Sequence, residues 1–238
     1  MGRAFEVRKQ SMAATAAKKA VLYNRVAREI YLAAREGSVD PNANLALRNA
    51  IDKAKAKQVP RDVIERAIKK ASGNDNKNYQ AIRYEGYGPG GSAIIVDTLT
   101  DNVNRAVAEV RNCFTKTGGK LGVNGAVVHL FDHLAVFAFT DKTVEAVLEL
   151  LLLADCDIND VVAEDGQIVV YAPVTAFNNV KTALDQAGIT TFQMAEITML
   201  PHDRITLQGD DAEQFEKMLN MLDDIDDVQD VYHNVLLA

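Results

Sequence analysis

At residues 72–78, SGNDNKN, the hydrophobic period of the chain changes, and this constrains the fold more than any other feature. Before it, apolar residues recur every three or four positions, as on an amphipathic helix. After it, short β-branched runs alternate with helical stretches. Such a chain folds as helices first and as mixed α/β layers second.

The first part is rich in alanine and reads as three helices. The first is predicted over about 13–36, with Leu22, Val26, Ile30 and Ala33 as its apolar stripe and Lys18, Arg25, Arg28 and Arg35 on the opposite side. Gly37 ends it. Asp40 and Pro41 open the second helix, to about Gln58, with Leu47, Ile51 and Ala54 inward. Pro60 opens the third, with Ile64, Ala67, Ile68 and Ala71 inward and Arg66, Lys69 and Lys70 outward, until Gly73 stops it.

Beyond the linker the pattern predicts a strand at 93–98, a helix at 102–116 and a strand at 126–131. A βαββαβ run follows: strand 135–139, helix 143–153, strands 158–163 and 167–171 around an Asp165-Gly166 turn, helix 174–187 and strand 191–197. A strand at 204–207, a helix at 211–222 and a strand at 228–233 complete the chain. The expected fold is α+β: an N-terminal three-helix basic domain followed by two ferredoxin-like α/β modules, one inserted in the other. The expected boundaries are 1–77 for the helical domain, 83–133 plus 202–238 for a discontinuous module, and 134–201 for the inserted one.

Charge divides at the same place. Residues 1–80 hold 17 Lys and Arg against 8 Asp and Glu, a balance of +9; residues 81–238 hold 9 against 25, a balance of −16. This asymmetry points to a polyanionic partner for the basic segment, or else to a solvated basic face. A monomer is expected, since no long heptad is evident.

Catalytic patterns fail on context. Gly86, Gly88 and Gly91 spell G-x-G-x-x-G, but the fingerprint needs a strand before its glycines and a helix after them. Here the apolar run 93–96 follows the glycines and Pro89 interrupts them, so the stretch reads as a turn. His129 and His133 are spaced as HxxxH, but at a strand end positions i and i+4 stand about 13 Å apart, too far to share a metal. The acidic run 223–230 lacks the central Gly and closing Glu of a calcium loop, so it reads as a solvated helix-to-strand loop. Cys113 and Cys156, without CxxC spacing, read as buried reduced thiols of a cytosolic protein. No apolar run is long enough to span a membrane. No catalytic residue, cofactor, metal or small-molecule substrate is expected.

Two further stretches suit binding. In TLTDNVNR, Asp101 is positioned to cap a helix, and Asn104 and Arg105 project from its first turn. In TKTGGKLGVNG, Lys116 and Lys120 flank glycines that either let a backbone approach phosphates or form a plain connector.

These residues carry a resemblance. YEGYGPGGSAIIVDTLTDNVNR, VRNCFTKTGGKLG and the ending DDVQDVYHN, with NLALRNAIDKAKAKQVPRDVIERAIKKASG earlier, resemble the YebC/PmpR family over nearly the whole chain. The start MGRAFE resembles its YeeN-like branch and lacks the Trp and the His-Lys-rich stretch of the commoner opening. The resemblance implies a cytoplasmic, non-enzymatic protein of three domains. Members are described as DNA-binding transcriptional regulators, while relatives, including a mitochondrial activator of cytochrome oxidase translation, look like translation factors on ribosomal RNA. DNA and the ribosome therefore both stand as expected partners. The expected nucleic-acid contacts are Lys18, Arg25, Arg28, Arg35, Arg66, Lys69, Lys70, Asn104, Arg105, Lys116 and Lys120.

Overall fold

The computed structural model describes residues 3–73 and 78–236, with side chains described from Lys18 onward. Most of the predicted linker and the side chains of Arg3, Arg8 and Lys9 lie outside the described residues. In chain order the elements are α1 (Arg3–Glu36), α2 (Leu45–Ala56), α3 (Arg61–Ala71), β1 (Gln80–Tyr87), β2 (Ala93–Thr100), α4 (Val103–Lys116), β3 (Lys120–Leu121), β4 (Phe131–Phe139), α5 (Val144–Leu153), β5 (Asp160–Glu164), β6 (Gln167–Pro173), α6 (Phe177–Gln186), β7 (Met194–Pro201), α7 (Asp210–Asp223) and β8 (Val228–His233). The fold class is α+β, with three N-terminal helices and two four-stranded antiparallel sheets. The chain divides into two compact units: Met1–Val127 with Thr206–Ala238, and Val128–Ile205.

In the first unit, α1 packs on α2 and α3 through Val26, Ile30, Tyr31, Leu47, Ala54 and Ile64. Asn44 fixes the α1–α2 corner. Its side chain accepts from the Leu47 amide at 3.0 Å and donates to the Ala33 and Ser38 carbonyls at 2.8 and 2.7 Å. A Cβ on Gly37 would lie 2.6 Å from the Asn44 side-chain nitrogen, so a larger residue there would displace the Asn44 amide from its partners. Asp40 and Pro41 thus form a turn, and α2 starts four residues later than expected because Asn44 is the better-placed cap.

The sheet of this unit has the order β3-β1-β2-β8, with Phe114 of α4 and Phe215, Met218 and Leu222 of α7 fully buried. Strand β1 is absent from the sequence expectation: QAIRYEGY holds a single β-branched residue, Ile82, and lacks the β-branched density of AIIV. It pairs along its whole length with β2, so the glycine stretch lies in a β-hairpin. Only an isolated bridge residue, Ile205, forms where the 204–207 strand was expected.

The second unit is a βαββαβ module, the succession of elements that the periodicity predicts, and its strands lie in the order β5-β6-β4-β7. Asp165 and Gly166, both with positive φ (49° and 77°), form the β5–β6 turn. Phe137, Phe139, Val147, Leu151, Val170, Val180 and Leu184 make its core. The strand expected at 126–131 is instead a 3-10 turn at Val128–Leu130 that leads into β4.

Candidate nucleic-acid interface

The predicted cations fall into two groups. Lys18 and Arg35 of α1 and Arg66, Lys69 and Lys70 of α3 are exposed. Arg66 holds Asp62 at 2.7 Å, an exposed pair one helical turn away. Asn104, Lys116 and Lys120 are also exposed, at the start of α4, at its end and on β3.

Arg25 and Arg28 depart from expectation. They do not form an outward face, because the acidic loop at 223–227 covers that side of α1. Arg25 donates to the Asp223 carboxylate at 2.9 Å, to the Asp223 carbonyl and to the Ile225 carbonyl at 3.3 Å. These acceptors end α7, where unsatisfied carbonyls and the helix dipole favour a cation. Arg28 donates to the Leu99 and Asp226 carbonyls at 3.3 and 2.8 Å and to the Asp227 carboxylate at 2.7 Å. Helical projection assigns residues to faces; it says nothing of which faces another layer will cover.

Asp227, only 1% exposed, is the centre of this arrangement. Besides Arg28 it accepts from Arg105 at 2.7 and 3.0 Å and from the Thr100 hydroxyl at 2.8 Å. Arg105 also holds Asp101 at 2.8 Å, and these two carboxylates, Asp227 first, keep its guanidinium pKa above the ordinary value. Arg105 is therefore ion-paired rather than simply presented to solvent. Asn102 caps α4 by accepting from the Arg105 amide at 3.1 Å, which frees Asp101 for the ion pair, contrary to its expected capping role.

The glycines serve chain packing. A Cβ on Gly86 would lie 2.6 Å from both the Lys120 carbonyl and the Phe114 ring, and one on Gly119 would lie 2.7 Å from the Tyr87 carbonyl. The segment after α4 thus presses directly on β1. Gly122 donates to the Glu85 carbonyl at 2.7 Å. This strand–turn–strand geometry lacks the helix N-terminus that a dinucleotide turn needs.

Cys113 is buried, and that burial, helped by Glu109, raises its thiol pKa to about 11, which disfavours the thiolate. His202 pairs with Asp132 at 3.0 Å, and His233 meets the Phe215 ring edge-on. Among the described residues no group of three or more His, Cys, Asp or Glu is placed to hold a metal ion, and no helix is long and apolar enough to cross a membrane.

Two cavities flank Arg28 and Tyr79. One, of about 620 Å³, is lined by the acidic groups Asp101, Glu109, Asp224, Asp226 and Asp227 together with Arg105. The other, of about 520 Å³, lies between α1 and α3 and is lined by Tyr23, Tyr31, Tyr79, Arg66 and Lys70. Sequence reasoning missed this second cavity, although Tyr23 and Tyr31 are two helical turns apart and so share a face of α1.

Similarity to known proteins divides the chain between α3 and β1. Residues 3–74 match the family description "TACO1/YebC protein N-terminal domain", and residues 79–235 match "TACO1/YebC second and third domain". A "probable transcriptional regulatory protein" of Vibrio cholerae serotype O1 is 54% identical over 98% of both chains, and one of Vibrio parahaemolyticus is 51% identical over the full length of both. The crystal structure of a conserved hypothetical protein from Aquifex aeolicus, 34% identical, matches with a TM-score of 0.75 over 92% of this chain and 90% of its own. With both parts of the fold matched in order over nearly its full length, this chain belongs to the TACO1/YebC family.

Proposed function

We propose that this protein is a non-enzymatic, cytoplasmic regulator of gene expression that binds nucleic acid through its helical segment. The observation that carries the reading is the exposed set Lys18, Arg35, Arg66, Lys69 and Lys70 on a segment of net charge +9, set against −16 in the rest of the chain. Such a surface neutralises phosphates and reads little sequence, so affinity comes mainly from counterion release. The regulator names of its relatives support the same role, and DNA is the first partner they suggest. In this reading the chain acts as a monomer, belongs to the YeeN-like branch and keeps the three expected domains, with the inserted one running over 128–205 rather than 134–201 so that β4 stays whole.

Ribosomal RNA is the second reading, favoured by the aromatic cavity beside Arg66 and Lys70, since unpaired bases stack on aromatic rings. Asn104, Lys116 and Lys120 would then touch a second part of the RNA from the two ends of α4. Titrating duplex DNA at several salt concentrations tests the main reading. About four phosphate contacts give a log–log slope near −3.6. A slope near zero, or unchanged binding after Lys69→Glu with Lys70→Glu, removes the helical segment as the contact surface. Co-sedimentation with ribosomes at low salt separates the two partners.

A further inference from the structure

The cavity between α1 and α3 differs in kind from its neighbour. The acidic cavity has five carboxylates on its walls, whereas the lining of this one includes none. Tyrosines, alanines and cations line it instead. Ala20 and Ala27 of α1 leave room where larger side chains would fill the space between the helices. Tyr31 is buried and meets the Tyr79 ring edge-on, with centroids 5.7 Å apart. Arg28, anchored by Asp227 and two carbonyls, lies over the Tyr79 ring at 5.7 Å. Tyr79 is thus held in place before any ligand arrives, which lowers the entropic cost of binding against it. Tyr23 is half-buried and closes the α1 side, while Arg66 and Lys70 stand exposed on the α3 side. Asn24, at the rim, offers both a donor and an acceptor.

A cavity walled by tyrosine rings, with an amide side chain in its lining and cations on its α3 side, complements a base with its phosphate. It does not complement a duplex, whose base faces are stacked away. RNA presents unpaired nucleotides in loops, bulges and ends. Resting on the nucleic-acid reading above, we propose that this cavity takes one unpaired RNA nucleotide, its base against Tyr23 and among the other tyrosines, its phosphate at Arg66 and Lys70.

The test uses the full chain and three labelled probes, each followed by fluorescence anisotropy at one fixed salt: a 12-nucleotide oligo(A) RNA, the matching single-stranded DNA, and a 12-base-pair duplex. Tyr23→Ala should weaken RNA binding about tenfold, the scale of losing one stacked base, and leave duplex binding within about twofold. Tyr23→Phe should retain wild-type affinity. Ala20→Leu, at an exposed helical position, should obstruct the cavity and reproduce the selective loss without removing a packed ring. If RNA affinity survives both Tyr23→Ala and Ala20→Leu, the cavity is not the site. If RNA and duplex weaken together, the residues act through the general basic surface; the inference fails and the nucleic-acid reading stands. Equal binding and equal loss with single-stranded DNA would overturn the assignment to RNA. Wild-type protein that binds none of the three probes overturns both readings.

Discussion

Helices α1 and α3 look alike in sequence: each sets a row of cations against an apolar stripe. In the folded chain the two rows meet different fates. Arg25 and Arg28 are turned into the protein, with their side chains only 13% and 17% exposed. Arg66, Lys69 and Lys70 remain in solvent. The difference comes from residues some 200 positions away, the acidic loop at 223–227, which takes the hydrogen bonds of Arg25 and Arg28, whereas Arg66 bonds to Asp62 within α3. The cations of the two helices therefore differ in what they do within the fold: Arg25 and Arg28 hold the helical segment to the first sheet, while Arg66, Lys69 and Lys70 stay exposed on α3.

The comparison can be broken at its centre. Asp227→Ala should be the most damaging change, destabilising the protein by about 3–5 kcal/mol, because it leaves two arginines without their shared carboxylate. Urea unfolding followed by circular dichroism measures it; a loss under 1 kcal/mol would show that the cluster does not hold the unit together. Arg28→Ala should cost less, about 1.5–3 kcal/mol, since Asp227 keeps Arg105 and Thr100. The Arg28→Ala/Asp227→Ala double variant should cost clearly less than the sum of the singles, the mark of a shared interaction. Arg25→Ala should cost about 1 kcal/mol or less, because its partner Asp223 is 55% exposed and exposed pairs contribute little.

How far the sequence foretold this depended on the range of the interactions involved. The βαββαβ module was legible because β4 carries an apolar, aromatic-rich run, β6 a β-branched one and α5 a leucine run, each a local signal. Strand β1 was not, because QAIRYEGY is stabilised by pairing with β2 and by the close approach of residues 119–122, both tertiary. The exposed cations of α3 were read correctly from helical period. The burial of Arg25 and Arg28 was not, because nothing within one helical turn of them announces the loop that covers them. The same holds for Asp227, which looked like one more solvated carboxylate in an acidic run and is instead nearly inaccessible. The tyrosine cavity falls between these cases: Tyr23 and Tyr31 show their common face in sequence, but Tyr79 joins them only through the fold.

The smallest stability effect belongs to α3, and it sharpens the comparison most. Lys69→Glu with Lys70→Glu should change unfolding free energy by no more than about 0.5 kcal/mol, as is usual for exposed positions. Some of that change should be unfavourable, because both residues sit in the last turn of α3, where the helix dipole prefers cations. Yet the same variant removes two positive charges and adds two negative ones beside the proposed phosphate contacts. Nucleic-acid affinity should therefore fall at least tenfold at low salt, and the salt slope should shrink by about 2 as two contacts are lost. Arg25→Ala makes the opposite pattern: a measurable stability loss with little change in salt slope, because its charge is already neutralised within the protein. Unfolding and binding measured on both variants under one buffer decide the matter. If Arg25→Ala lowers the slope as much as the α3 variant does, the acidic loop releases α1 when nucleic acid arrives, and the two helices form one surface after all.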